Sequence, residues 1–353
     1  MKILLLCWRD TTHPQGGGSE RYLERVGEHL ARQGHEVIFR TAKHTDAPRR
    51  SRRGGIRYER AGGKYSVYLA APLSVWRHRP DLIVDTQNGI PFFARLYSRA
   101  TTVLLTHHCH HNQWPVAGPV IGRLGWFLES QVAPRVYRHA QYVTVSEASK
   151  SDLVGLGVPA GDIEIVENGV DPIPQEVAVP PLDDKLHVVT LSRLVPHKRI
   201  EHAIDAVAGL DGVVLDIIGS GWWEDKLREY AAPYGDKVVF HGHVNESYKH
   251  GLLSRAALHL MPSAKEGWGI AVIEAAQHGV PTVGYRDSGG LRDSVEHGKT
   301  GVLVGSREEF NEATKALLFD APLRTRLGCA ARARASAFSW EETGRRFAAV
   351  LGL

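Results

Sequence analysis

The chain has 353 residues, 43% of them hydrophobic and 23% charged, with 43 Lys+Arg against 39 Asp+Glu. That length exceeds one ordinary core and fits two domains of roughly 170 residues. Three cysteines, Cys7, Cys109 and Cys329, are odd in number and far apart, which argues against a disulfide framework and for a reducing, cytoplasmic compartment.

The first apolar run, Ile3–Trp8, is followed at once by Arg9 and Asp10. It is too short for a signal segment or a membrane span and predicts a buried strand. Gly16-Gly17-Gly18 comes next, with Ser19 as the expected N-cap. Tyr22, Leu23, Val26 and Leu30 then recur at helical spacing up to Gly34, and 36–41 reads as a second strand. Such a β-α-β unit has parallel strands and a right-handed crossover. Further strands are predicted at 82–85, 102–106, 142–145 and 164–166.

Prolines at 172, 174, 180 and 181 break the pattern. They mark a linker over 173–186 between a first domain, 1–172, and a second, 187–335. Strands in the second are predicted at 187–191, 213–218, 237–240, 258–261, 282–285 and 301–304. Residues 336–353 read as a terminal helix. Two alternating α/β halves imply two Rossmann-like domains facing a cleft.

The charge is uneven. Residues 1–172 carry 22 Lys+Arg against 16 Asp+Glu, and the remainder 21 against 23. Arg49, Arg50, Arg52, Arg53, Arg57 and Arg60 cluster in a stretch that reads as a solvated basic loop turning at Gly54-Gly55, with contact to an anionic membrane surface or an acidic acceptor as the other reading. Neither a nucleic-acid motif nor interleaved aromatics accompanies it, so no nucleic-acid partner is expected. The segment Trp114, Val116, Val120, Ile121, Leu124, Trp126, Phe127 and Leu128, with Arg123, Arg135 and Arg138 nearby, has two readings. One is a peripheral membrane contact at the inner face of a bilayer. The other is burial in the first domain's core or beside a soluble acceptor.

Several motifs are incomplete. Gly16–Arg21 lacks the third glycine of a dinucleotide-binding turn. Gly298-Lys299-Thr300 has Asp293 where a P-loop needs glycine. No Asp-x-Asp pair for holding Mg²⁺ or Mn²⁺ on a pyrophosphate occurs. Neighbouring histidines in His107–His111 would point to opposite sides of an extended chain, which disfavours one metal centre. No metal and no cofactor are expected.

The most informative stretch is Pro262–Ala276. Glu266 and Glu274 stand eight residues apart, with Gly267, Trp268 and Gly269 after the first and a helix-forming run leading to the second. A loop carboxylate followed by a helix start pairs hydroxyl capture with anion capture. Nucleotide sugars need both; the other reading of the spacing is an ordinary loop entering a core helix with solvated glutamates. Ser192-Arg193-Leu194 with Lys198 supplies a cation pair suited to a pyrophosphate. Gly219-Ser220-Gly221 follows an apolar strand. It is either a close backbone approach to a nucleotide or a plain strand-to-helix turn.

This set resembles the retaining glycosyltransferases of GT-B fold with an E-x7-E signature, glycosyltransferase family 4. The likeness also rests on Gly279–Gly284, Gly289-Gly290-Leu291 and Gly298–Val304, and is loosest over about 44–80. It implies that the terminal helix crosses back to the first domain. It implies that Arg193 and Lys198 hold the donor phosphates, that Glu274 holds the ribose, and that Glu266 holds the donor sugar. Gly17 and Gly18 would form a loop over the reaction centre. His107 would face the sugar, with His108 as the fallback, and Gly289, Gly290 and Leu291 would add backbone contacts. The reaction implied is transfer from a UDP or GDP sugar to a small-molecule, glycan or lipid-linked acceptor, without metal. The alternatives are a GT-B epimerase or phosphorylase, or an inactive sugar-nucleotide-binding protein.

Overall fold

The computed structural model describes all residues except 15, 112, 113 and 182; the side chains of Val116 and Ala117 also lie outside the described part. It comprises two compact units, Met1–Gly169 with Ser339–Leu353, and Val170–Phe338.

The first unit is built on β1 (Lys2–Leu6), β2 (Glu36–Thr41), β3 (Arg50–Arg53), β4 (Ile56–Arg60), β5 (Leu82–Thr86), β6 (Thr101–Leu105), β7 (Gln141–Thr144) and β8 (Ile163–Ile165). Their order is β3-β4-β2-β1-β5-β6-β7-β8. All pairs are parallel except β3 with β4. β1 and β5 are apolar because a parallel sheet is covered on both faces. On one face the helix Ser66–His78 sets Val67, Ala71 and Val75 against Leu4, Leu6, Ile38 and Ile83. On the other, Gly27 of the helix Gly18–Arg32 lies against Leu5 and Ile56. The terminal helix Trp340–Val350 belongs to this unit, with Trp340 and Phe347 edge-on to Tyr22 at 6.1 and 6.0 Å.

Two expectations need correction here. The first long helix starts after Gly17, not after Ser19, because Glu20 reaches back to the Gly17 amide at 2.8 Å. The basic stretch is not a solvated loop but the β3–β4 hairpin. Its charges are partly spent inside the fold: Arg60 is buried against Asp10 at 2.6 Å, and Arg53 pairs with Glu24 at 2.7 Å.

The second unit carries β9 (Leu186–Leu191), β10 (Val213–Ile218), β11 (Val238–Gly242), β12 (Ala256–Met261), β13 (Thr282–Tyr285) and β14 (Gly301–Val304). The order is β11-β10-β9-β12-β13-β14, all parallel. Buried Asp216 on β10 ties neighbouring elements together: His187 and His241 each lie 2.7 Å from its carboxylate and Arg255 3.2 Å away.

The division falls at 169/170 rather than 172, and the proline-rich stretch is part of the second unit. Gln277 donates to the Asp171 carbonyl at 2.9 Å, and the Ala178 amide donates to the Ser247 hydroxyl at 3.0 Å. Phe338 stays with this unit because its ring meets Trp268 at 4.9 Å. The terminal segment of the first unit therefore begins at Ser339, not 336.

Among the parallel strands of each sheet the order reverses once, between β1 and β5 and between β9 and β12. Open α/β sheets bind ligands outside the carboxyl ends of the strands at such a reversal. Both groups of candidate residues lie there.

Candidate functional site

In the second unit, β9 ends at Leu191 and leads into Ser192, Arg193 and the short turn Pro196–Lys198; β12 ends at Met261 and leads into Glu266. The two loops meet. Lys198 Nζ lies 2.5 Å from Glu266 Oε1, and the Ala264 amide donates to the His197 carbonyl at 2.8 Å. Burial alone would raise the Glu266 carboxyl. The Lys198 charge, with hydrogen bonds from Lys198 and Ser263, outweighs burial and holds it below its ordinary value. The carboxylate is therefore ionised at neutral pH. A carboxylate accepts at about four lone-pair sites and an ammonium has three donors, so this pair retains capacity for a ligand on both members. Arg193 is exposed on the same loop.

Backbone pairing then locks a second loop onto the first. The Glu266 amide donates to the Ser288 carbonyl and the Gly290 amide to the Glu266 carbonyl, both at 2.9 Å. A Cβ on Gly290 would lie 1.9 Å from the Gly267 carbonyl oxygen, so only glycine lets the loops close. The amide of Gly290, expected to meet the donor, here serves the fold. Leu291 is fully buried.

The helix carrying the second glutamate runs Ile270–Gln277, capped by Gly269 at φ 97°. Its free amides thus begin two to three residues later than Gly267. Glu274 sits in its second turn, where Oε1 receives a hydrogen bond from Lys249 Nζ at 2.6 Å. Lys249 is buried on the helix Glu246–Arg255 and also donates to Glu246 at 2.7 Å. Burial disfavours its charge, but Glu274 and Glu246 more than compensate and raise its pKa. Each glutamate of the spaced pair thus carries its own lysine.

Two residues expected to meet the donor also serve the fold. Trp268 is 2% exposed and packs edge-on to Phe338. It is a core residue. Gly219 donates its amide to the Gly242 carbonyl at 2.8 Å, and a Cβ there would fall 1.9 Å from the Ser192 carbonyl oxygen. Its φ of 129° and this contact explain the glycine without a ligand.

In the first unit, Glu20 organises the glycine loop. It is fully buried and accepts from Arg9 Nε at 2.9 Å, the Gly17 amide at 2.8 Å and the Ser19 hydroxyl at 3.0 Å. Burial pushes its carboxyl up; Arg9 and the amides of Gly17 and Glu20 more than offset this. The Gly17 amide is therefore committed to Glu20, while Gly18 opens the helix. His107 follows β6, edge-on to Tyr22 at 5.1 Å. Its Nε2 is buried with no partner among the described residues, whereas His108 stacks on His110 at 4.4 Å. His110 in turn is held by buried Glu129, 3.1 Å from its Nδ1. Among the described residues no three His, Cys, Asp or Glu side chains converge as metal ligands.

Arg9, Glu20 and Lys249 were not singled out from sequence. Glu20 had a signal, the capping-box position three residues after Gly17. Lys249 had none, because it lies 25 residues from Glu274 on a different helix.

Comparison with known proteins now bears on these observations. Residues 16–173 match the family described as Glycosyltransferase Family 4, and 174–334 match Glycosyl transferases group 1. A Mycobacterium tuberculosis protein, GDP-mannose-dependent alpha-(1-6)-phosphatidylinositol monomannoside mannosyltransferase, is 30% identical over 281 residues, covering 71% of this chain and 70% of the relative. The chain belongs to glycosyltransferase family 4. The fold is GT-B. Sucrose-phosphate synthase of Thermosynechococcus elongatus superposes with TM-score 0.83 at 20% identity, covering 99% of this chain and 98% of that one. Anabaena HepE, solved with UDP-glucose, gives TM-score 0.78 at 21% identity over 100% and 99% of the two chains. As a family 4 member the protein is a glycosyltransferase.

Burial pulls the His107 pKa down to about 4 from 6.5, with Glu20 opposing and His110 assisting. The ring is neutral at working pH and can offer or accept one hydrogen bond at Nε2. The sign of its linkage follows. Between 6.5 and about 4 the unfolded chain binds a proton that the folded chain refuses, so this group costs stability as pH falls through that window. His107→Ala is expected to lower kcat about a hundredfold while changing nucleotide Kd by less than about threefold, roughly 0.6 kcal/mol. Steady-state kinetics beside calorimetric nucleotide binding checks this. A matching loss of nucleotide affinity would mark His107 as structural.

Proposed function

We propose that this glycosyltransferase moves a sugar from a nucleotide-diphosphate donor, of the UDP or GDP class, to an acceptor hydroxyl with retention of anomeric configuration and without a metal. The observation that carries the proposal is the pair of lysine-held glutamates, Lys198–Glu266 and Lys249–Glu274, eight residues apart in sequence at the strand-order reversal of the second sheet. A GDP-mannose-dependent relative and a neighbour solved with UDP-glucose support the donor class.

In this reading Glu266 receives sugar hydroxyls and Glu274 ribose hydroxyls, each through an oxygen beside its lysine. Arg193 and Lys198 stabilise charge on the departing phosphate, as does the start of the helix at Ile270. The acceptor oxygen bonds to the anomeric carbon on the face from which the phosphate oxygen leaves. That phosphate oxygen takes the acceptor's proton, so no side-chain nucleophile is needed. The acceptor hydroxyl belongs to a small molecule, a glycan or a lipid-linked sugar.

The test is turnover in EDTA with an NMR readout of the product's anomeric configuration. Undiminished activity and a product with the donor's configuration are expected. Loss on chelation that Mn²⁺ or Mg²⁺ restores, or an inverted product, overturns the proposal.

A further inference from the structure

The first unit leaves two helices with large apolar residues pointing outward. On Ser66–His78 and its N-cap, Leu69 is 82% exposed and Trp76 72%, with Tyr65 and Leu73 also exposed. Their spacing of four, four and three residues puts all of them on one side. The opposite side, Val67, Ala71 and Val75, is the one that meets the sheet.

The helix Pro119–Phe127 is more unusual. Its buried residues are Gly122 and Gly125, which sink onto Trp114, while Val120, Ile121, Leu124 and Phe127 stand exposed. The segment's apolar character does not serve the core. Large side chains face out and glycines face in. The side chain of Val116, part of the same sequence pattern, lies outside the described residues.

The helix Ser66–His78 and Tyr137, at the end of the helical run that Pro119–Phe127 begins, lie on the same face of the sheet. Strand register places Leu4, Ile83, Asp85, Leu104 and Tyr142 on one side. The helix Ser66–His78 covers Leu4 and Ile83, and Tyr137, just beyond the second helical run, packs with Leu104 and Tyr142 and donates to Asp85. The first unit therefore presents two exposed apolar stripes.

The exposed charge along this stretch of chain is mostly basic. From Arg60 to Leu128 the only acidic residues are Asp81 and Asp85. Asp85 is fully buried, and Asp81 accepts from the Lys2 amide at 2.6 Å. Lys64, Arg77, Arg79, Arg95, Arg99 and Arg123 are all exposed on this stretch. Apolar helix faces on a stretch with six exposed basic residues and Asp81 as its one exposed carboxylate match the chemistry of an anionic bilayer surface, where apolar burial and lipid charge act together. Among the described residues no helix is long and apolar enough to cross a membrane.

We infer that the first unit docks on anionic phospholipid membranes through these exposed stripes, with Tyr65, Leu69, Leu73 and Trp76 and the outward side of Pro119–Phe127 entering the interface and the exposed Lys and Arg residues meeting lipid phosphates. The inference stands on these residues and not on the proposed chemistry, so its failure leaves the transferase reading untouched.

Co-sedimentation of the full chain with phosphatidylglycerol–phosphatidylcholine vesicles and with phosphatidylcholine alone tests it. Binding to the anionic vesicles at low salt, weakened at high salt and on neutral lipid, is expected. Leu69→Ser with Trp76→Ser, and separately Ile121→Ser with Phe127→Ser, should each weaken binding by about tenfold or more. Circular dichroism and turnover on a soluble acceptor should be unchanged, since these side chains support nothing beneath them. No binding to anionic vesicles at low salt overturns the inference, as does binding that both double variants retain in full. A salt-insensitive dimer in sedimentation velocity, abolished by the same variants and without vesicle binding, would assign the face to a second copy of this chain instead.

Discussion

Lys198→Ala lowers kcat by about 10²- to 10³-fold, the range seen when one donor that stabilises transition-state charge is removed. Two effects combine in that loss. In the proposed mechanism the leaving phosphate would no longer meet the ammonium, and Glu266, whose side chain is 10% exposed, would lose the partner 2.5 Å away that keeps it ionised. Breaking a buried pair from one side costs about 3–5 kcal/mol of stability, so the variant also melts earlier. Arg193→Ala separates the two. Arg193 is exposed, and its removal should cut kcat by a similar factor with a stability change within about 0.5 kcal/mol. Steady-state turnover well below both melting temperatures checks this. If Arg193→Ala and Lys198→Ala both turn over at the parent rate, the phosphate assignment fails.

Glu274→Ala weakens nucleotide binding by about a hundredfold or more, because charge-assisted hydrogen bonds contribute about 1.5–3 kcal/mol each and a ribose offers two hydroxyls. The effect should appear in Kd for the free nucleoside diphosphate, measured by calorimetry. The structure adds a partner to this prediction. Lys249 holds Glu274 at 2.6 Å from a buried position, and if Glu274 receives the ribose, Lys249 is its positioning residue. Lys249→Met should weaken nucleotide binding by a smaller factor, and the double variant should lose little beyond Glu274→Ala alone, since coupled neighbours are not additive. Nucleotide affinity unchanged in Glu274→Ala overturns the ribose assignment. Full additivity of the two changes would instead show that Lys249 acts independently of Glu274.

Sequence and structure agree where the signal is local. Strands 213–218, 282–285 and 301–304 were readable to the residue, because a strand buried on both faces is a continuous apolar run. The division into two α/β halves followed from the alternation of such runs with helical spacing. Glu266 and Glu274 stood out because eight residues carry a chain from a loop into the second turn of the next helix. The β3–β4 hairpin escaped notice because its residues are mostly arginine, and a strand at a sheet edge needs no apolar alternation.

What sequence alone determined was the fold class and the family: a periodicity of apolar runs and a set of glycines and charged residues at fixed offsets. Tertiary structure decided which of those residues are available to a ligand. Gly219 and Gly290 are glycines because backbone from another loop approaches to within reach of any Cβ, and Trp268 belongs to the core because Phe338 arrives from 70 residues further along. The lysine beside each glutamate and the outward turn of Val120, Ile121, Leu124 and Phe127 depend likewise on which element packs against which. Contacts between distant segments set burial and ion pairing, and neither is encoded in the spacing of one stretch of chain.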